Sequence, residues 1–360
     1  MFSHAKRVAL LLTFAIPSAL YAGDYTYQQT TQITGGSLLQ MMKSVGFISS
    51  QARHMGDPIV SSIYLKDNRL ANVSAESIEI IDLDKETITQ IDVPKKTYTV
   101  MTFDQIKQAM ANARAQMEKQ QPAQPAAKPE PDAQNMKMSF DVKVRKTGAT
   151  KQVSGLDSKE AILTMTMTAT DTQTQQSGNM AITNDMWMVP EIPGYDQVRD
   201  FYRRFALKMV DATTIGLGYD FSKMLAQNPG AGQALGQMAG EMQKLDGVPV
   251  MQVMRMGTTM NGQPLPAASE APLPAEPAGP SKGDVAKAGL GSVLSSRLGG
   301  FGFGKKKQDP PPDQKAAQPQ PTSAILMETQ ITTSNFSSAP VDPSHFEVPV
   351  GYKLVQPQAR

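Results

Sequence analysis

The sequence predicts an α+β fold built on an antiparallel β-sheet, with a few amphipathic helices and a disordered insert. Three observations carry that prediction. Residues 61–103 (SSIYLKDNRLANVSAESIEIIDLDKETITQIDVPKKTYTVMTF) read as consecutive short strands rich in Ile, Val, Thr and Tyr, cut by polar turns at KDN (66–68), DKE (84–86) and PKK (94–96). Strict alternation returns in 136–144 and 161–170 and again in 324–336. Helical spacing of apolar residues appears after the first strand run and again after residue 195.

In chain order, Lys6 and Arg7 precede an apolar run from Val8 to Leu20 that is short for a membrane span and is interrupted by Pro17. Residues 1–22 are therefore read as a secretory signal peptide, with an uncleaved N-terminal anchor as the alternative, and the mature chain is expected in the periplasm or outside the cell. The sequence has no cysteine, which leaves no lipoprotein anchor, disulfide, thiolate metal site or thiol nucleophile. Subtracting Lys6 and Arg7 from the 35 basic residues leaves 33, equal to the 33 acidic ones. A neutral mature chain with few aromatics has no electrostatic reason to bind nucleic acid.

The first folded block is expected over 23–119. Residues 24–33 alternate as a strand with Tyr25, Tyr27, Gln29, Thr31 and Ile33 on one side, ended by Gly35-Gly36. Residues 37–55 carry helical apolar spacing interrupted at Gly46, read as a core helix or as a lid over a sheet face. The strand run follows, and its last residue but one opens a helix. Thr102 with Gln105 three positions on is a capping-box signature, and Phe103, Ile106, Met110, Ala113 and Met117 then recur at helical spacing. Residues 120–135 are Pro- and Ala-rich and read as a linker.

The second block, 136–260, resumes with Met136, Met138, Phe140, Val142 and Val144 alternating, a turn at Thr147-Gly148-Ala149, the strand 161–170, and a strand 180–189 with the only tryptophan, Trp187. Val198, Phe201, Tyr202, Phe205 and Met209 form the apolar side of a helix over 195–211. Arg199, Arg203, Arg204 and Lys208 line much of its other face, read as solvated or as a contact for acidic headgroups. Residues 221–245 read as helix broken at Pro229-Gly230, and 248–260 as strand. Residues 261–322, mostly Pro, Ala, Gly, Ser and Lys, are expected to be a disordered insert. Within it Leu290, Leu294, Phe301, Phe303 and the cluster Lys305, Lys306, Lys307 are candidates for shallow contact with an anionic membrane, against the plainer reading of a flexible Gly-rich segment. Residues 323–360 supply a last strand, which must return to an existing sheet because an isolated strand is unstable, and a compact apolar tail.

The phrase Asp82-Leu83-Asp84-Lys85-Glu86-Thr87-Ile88-Thr89-Gln90-Ile91-Asp92, with Lys95-Lys96-Thr97-Tyr98 after it and the ending Phe346-x-x-Pro349-x-Gly351-Tyr352, resembles exported bacterial domains related in fold to the Lol-type outer-membrane lipoprotein carriers. That resemblance covers the signal, the strand run and the tail. It implies a curved sheet forming an incomplete barrel, helices packed on its concave face, and an apolar cavity for acyl chains. No binding residue transfers individually, and the long insert departs from the pattern.

Chemistry-bearing motifs are few. His54 and His345 have no metal-ligand spacing, there is no Gly-x-Ser-x-Gly elbow, no phosphate loop and no dinucleotide fingerprint, so the chain is read as non-enzymatic and without cofactor. Asp82, Asp84 and Asp92 are read as solvated turn carboxylates, with a cation site as the alternative. The 23 methionines include Met-x-Met pairs at 136/138, 165/167, 186/188 and 254/256, which on a strand put both thioethers on one face. Such stripes line an apolar cavity or core, and they are also soft ligands for Cu(I). The expected function is binding of a lipid or other apolar ligand, with Met138, Phe140, Met165, Met167, Trp187 and Tyr98 as cavity candidates. The alternatives are a structural or interaction protein of the cell envelope, meeting an envelope partner or the membrane surface, and a copper-binding protein.

Overall fold

A computed structural model describes residues 23–44, 56–119, 136–171, 173, 177–209, 237, 240–241, 243–259, 262–273 and 323–356. The expected signal peptide, the linker, the candidates Leu290 to Lys307 and most of the insert lie outside the described residues. Among the described residues no helix is long and apolar enough to cross a membrane.

Twelve strands form one open, mixed sheet in the order β12-β6-β5-β4-β3-β2-β1-β11-β10-β9-β8-β7. They are β1 (Tyr25–Gly35), β2 (Ile59–Lys66), β3 (Arg69–Ser74), β4 (Ser77–Asp82), β5 (Thr87–Asp92), β6 (Thr97–Thr102), β7 (Met136–Val153), β8 (Leu156–Asp171), β9 (Ser177–Val189), β10 (Val248–Thr259), β11 (Ser323–Ser337) and β12 (Lys353–Leu354). Among the described residues the longer helices are α1 (Ser37–Ser44), α2 (Phe103–Lys119) and α3 (Tyr195–Met209).

Strands β2 to β6 are the antiparallel run read from the sequence. Its turns close through Asp67, Glu86 and Lys96, each with φ between 50° and 54°. Asp82 and Asp92 shape two of these turns: Asp82 Oδ1 accepts from the backbone N–H groups of Asp84 and Lys85, and Asp92 Oδ1 from that of Lys95. These are turn carboxylates satisfied by local backbone donors.

The Thr102 signature forms in full. Gln105 N–H donates to Thr102 Oγ1 at 3.1 Å, and Thr102 N–H donates to Gln105 Oε1 at 2.9 Å, so two orphan donors of the helix start are satisfied reciprocally. The apolar face of α2 is only partly used, since Phe103 and Ile106 are buried whereas Met110 is exposed. Thr102→Ala is expected to cost about 1 kcal/mol and to lower amide-exchange protection in the first turn of α2. Unchanged protection there would show that the cap contributes nothing.

β11 lies between the two strand blocks, pairing β1 on one side and β10 on the other. Directly opposed residues share a face, so register traces each face across the molecule. One face runs from Thr31 through Ile331, Gln252 and Met186 to Ala161. The other runs from Thr30 through Thr332, Met251 and Trp187 to Glu160.

On the first face, α3 covers β1 to β3. Its Val198 and Phe201 bury against Tyr25, Tyr27, Ile63, Leu65 and Leu70, with Phe103 beside them. Tyr27, Tyr195 and Phe336 pack edge-on or stacked at 5.7–6.1 Å between centroids and join this cluster to a second one at the strand ends, around Val189, Ile192, Val248 and Val250. Gly247, at φ +101°, precedes β10 so closely that an added Cβ would sit 2.2 Å from the Val189 carbonyl oxygen, which only glycine permits.

On the second face the C-terminal tail covers β2 to β6. Val341 and Phe346 are buried against Ala71, Ile80 and Ile91, with Tyr98 and Tyr352 packed around them. His345 stacks on Tyr64 at 3.7 Å, and the Arg69 guanidinium sits 4.9 Å over the Phe346 ring. The tail then adds β12 in parallel to the β6 edge, Lys353 N–H donating to Lys96 O and Val355 N–H to Tyr98 O.

Two local expectations are corrected. Thr147-Gly148-Ala149 is not a hairpin turn but an irregularity within the continuous strand β7, marked by a register shift between Lys146 and Thr150; the turn sits at Ser154-Gly155, where both residues have positive φ. Residues 262–273, assigned by composition to the disordered insert, lie packed on the sheet, with Leu265 and Ala267 buried. Composition under-reads such a segment because its polar backbone groups are met by sheet side chains rather than by a regular ladder.

Candidate functional site

The two faces of β7 to β11 differ in chemistry. On the face shared with α3, cross-strand register aligns Val142, Met165, Ile182, Met256 and Met327 in one row across five strands. A second row runs Phe140, Met167 and Met180, and a third Val144, Leu163, Asn184 and Met254. Of these, Val142 is buried, while Phe140, Met165, Met167, Met180, Ile182, Met254, Met256 and Met327 are half-buried. Leu245 packs on the end of this face, against Ala161, Met186, Met188 and Leu163. The arrangement is a Met-lined apolar surface whose thioethers come from alternate positions of neighbouring strands.

The cavity candidates therefore divide. Phe140, Met165 and Met167 lie together on the Met-lined face; Met138, opposite Ala169, follows the same alternation in β7. Trp187 lies on the opposite face, paired with Met251 and Glu160. Tyr98 lies in β6, part of the core under the C-terminal tail.

The face carrying Trp187 holds a polar site that the strand-by-strand reading missed. Residues 262–273 cross it as a strap and are gripped through their backbone. Thr183 Oγ1 donates to Leu265 O at 2.7 Å, Arg255 Nη1 donates to both Pro266 O and Ala267 O at 3.0 Å, and Ser269 N–H donates to Asp185 Oδ2 at 3.0 Å. Leu265 fills a pocket with Ala181, Ile325 and Leu273. Arg255 is almost fully buried and is paired by Nε to Glu328 Oε2 at 2.7 Å, while Glu328 Oε1 accepts from Thr34 Oγ1 at 2.6 Å. Beside the strap remains a cleft of about 380 Å³, lined among others by Lys151, Trp187, Met251, Asp185 and Gln330.

Lys151 Nζ sits 4.0 Å over the Trp187 ring and 3.3 Å from Met251 Sδ; burial pulls its pKa down, against the charges of Asp185 and Glu160. Glu160 and Asp185 are diagonal neighbours on β8 and β9, 5% and 2% exposed. Burial and then the Glu160 charge push the Asp185 carboxyl up. Burial would also raise Glu160, but hydrogen bonding, from Ser269 and Thr147 foremost, and the Arg145 charge outweigh it and hold that carboxyl below its usual range. Glu160 Oε1 and Asp185 Oδ1 are buried without a donor. Among the described residues no group of three or more His, Asp or Glu side chains is placed to hold a metal ion. The signal that marks part of this site in the sequence is a lone charge inside a strand: Asp185, Arg255 and Glu328 each interrupt an otherwise apolar or Thr-rich run, whereas Glu160 follows Asp157 and Lys159 and carries no such mark.

No family model matches the chain, and no curated protein matches it.

Proposed function

We propose that this chain is an exported, non-enzymatic protein of the cell envelope that binds a lipid or another apolar ligand against the Met-lined face of β7 to β11, in lipid or lipoprotein handling. In this reading the open sheet curves as an incomplete barrel with α2 and α3 on its concave side, and the Met-lined face continues that concavity. The observation that carries it is the row Val142, Met165, Ile182, Met256 and Met327, an apolar stripe across five strands with only Val142 of the five buried. Unbranched thioether side chains adapt to a flexible acyl chain better than branched aliphatics do. The resemblance to Lol-type carriers and the expected signal peptide point the same way.

The test is titration of the delipidated protein with a fluorescent long-chain fatty acid. Met165→Asp and Met256→Asp are expected to weaken binding at least about tenfold, a loss of about 1.4 kcal/mol, while Val100→Asp on the exposed edge of the other block leaves it unchanged. No binding by the unaltered protein would overturn the proposal. The same face gathers the thioethers of Met165, Met167, Met180, Met254, Met256 and Met327 on neighbouring strands, which keeps Cu(I) binding as a second reading. Met→Leu changes separate the two, since leucine retains apolar area and volume but cannot ligate copper. A structural or interaction role in the envelope is supported by β1 to β6, whose sheet carries a filled core on each face.

A further inference from the structure

Glu160 and Asp185 form a pair that neither the apolar face nor the turn carboxylates explain. Each has one oxygen held by a donor: Thr147 Oγ1 donates to Glu160 Oε2, and Ser269 N–H to Asp185 Oδ2. Each keeps its other oxygen buried with no donor. Two buried carboxylates at diagonal positions on neighbouring strands cannot both be ionised at low cost, and a single proton shared between them would satisfy an unpartnered oxygen on each. We propose that Glu160 and Asp185 share one proton and that this proton keeps the strap 262–273 seated on the sheet.

Among the described residues the neighbouring cations act on the pair without an ion pair to it: the Arg145 charge favours ionised Glu160, and Lys151 feels both carboxylates. From β7, Lys151 is held over Trp187 and Arg145 is paired with Glu270 of the strap. From β10 and β11, Arg255 and Glu328 neutralise each other. When the shared proton leaves, two like charges oppose each other with no cation committed to them. Relief comes from water, admitted from the neighbouring cleft as the strap lifts, or from a shift of Asp185, which drags Ser269 with it. Asp185 is a carboxyl with a raised pKa, so its contribution is complete below the ordinary aspartate range and is lost as pH rises through the raised value. Glu160 is lowered, so its contribution is present above the ordinary glutamate range and is lost as pH falls through the lowered value. The strap is thus held best between the two, in the one-proton window.

Amide hydrogen exchange of the full chain, corrected for intrinsic rates, reads this directly at Leu265, Ala267 and Ser269. Protection at these amides is expected to fall at least about tenfold between about pH 5, just above the ordinary carboxylate range, and about pH 9, the change that one pKa unit of linkage carries, while amides of β2 to β5 hold theirs. Asp185→Asn offers Glu160 a donor that cannot ionise, so the strap is expected to stay protected at both pH values. Protection that does not change with pH in the unaltered protein, or an Asp185→Asn variant that loses it as the unaltered protein does, would overturn the proposal. So would carboxyl chemical shifts showing both groups ionising independently below about pH 5.

Discussion

Glu328→Ala is expected to destabilise the protein by about 3–5 kcal/mol in urea unfolding, because it strands a buried guanidinium without its counter-charge. Arg255 is 2% exposed, and among the described residues its hydrogen-bond acceptors apart from Glu328 are the carbonyls of Pro266 and Ala267 in the strap. Those dipoles do not replace a carboxylate 2.7 Å away. Replacing both partners, as Arg255→Met with Glu328→Leu, is expected to recover most of the loss, since a buried ion pair exchanged for apolar side chains is often neutral. What remains should be about 1–3 kcal/mol, the cost of leaving the two strap carbonyls without a donor. A Glu328→Ala protein within about 0.5 kcal/mol of the original would mean that water reaches the pair.

Phe201→Ala is expected to cost about 3–5 kcal/mol, as a fully buried ring removed from a two-sided contact leaves a cavity that the sheet cannot collapse into. Phe201 is 0% exposed in the cluster with Tyr25, Tyr27 and Leu65, and with Val198 it fixes α3 to β1 and β2. Leu207, on the same helix but 66% exposed, serves as the control, and Leu207→Ala should stay within about 0.5 kcal/mol. Equal effects from the two would show that α3 is not anchored by its buried stripe. Around this contact burial pushes the Tyr25 hydroxyl up to about 12 and raises Tyr27 as well, so both remain protonated through the neutral range.

What the chain could tell in one dimension was its local structure. Period-two alternation marked β1, strands within the run from β2 to β6, the first half of β7, β8 and β11, because a half-buried strand must show one apolar side regardless of its neighbours. The capping box at Thr102 was legible for the same reason: donor and acceptor lie three residues apart, and the helix start brings them together without help from the rest of the fold. The apolar spacing of Val198, Phe201 and Phe205 likewise announced which side of α3 would be buried.

The tertiary structure decided which face each strand shows to which partner. Trp187 and Met165 both looked like lining residues, yet register sets them on opposite sides of the sheet, because face assignment depends on pairing parity and a register change by one residue inverts it. The tail, which reads from the sequence only as compact and apolar, spends most of its length across the second face and adds the two residues of β12 to the β6 edge. The strap was hidden by its composition, since its backbone groups are met by Arg255, Thr183 and Asp185, residues far away in sequence. Glu160 and Asp185 acquire their chemistry from each other, from burial and from the donors Thr147 and Ser269 that the fold brings to them. Alternation in the sequence shows which residues turn from water, but where two buried carboxylates meet depends on how β8 is set against β9.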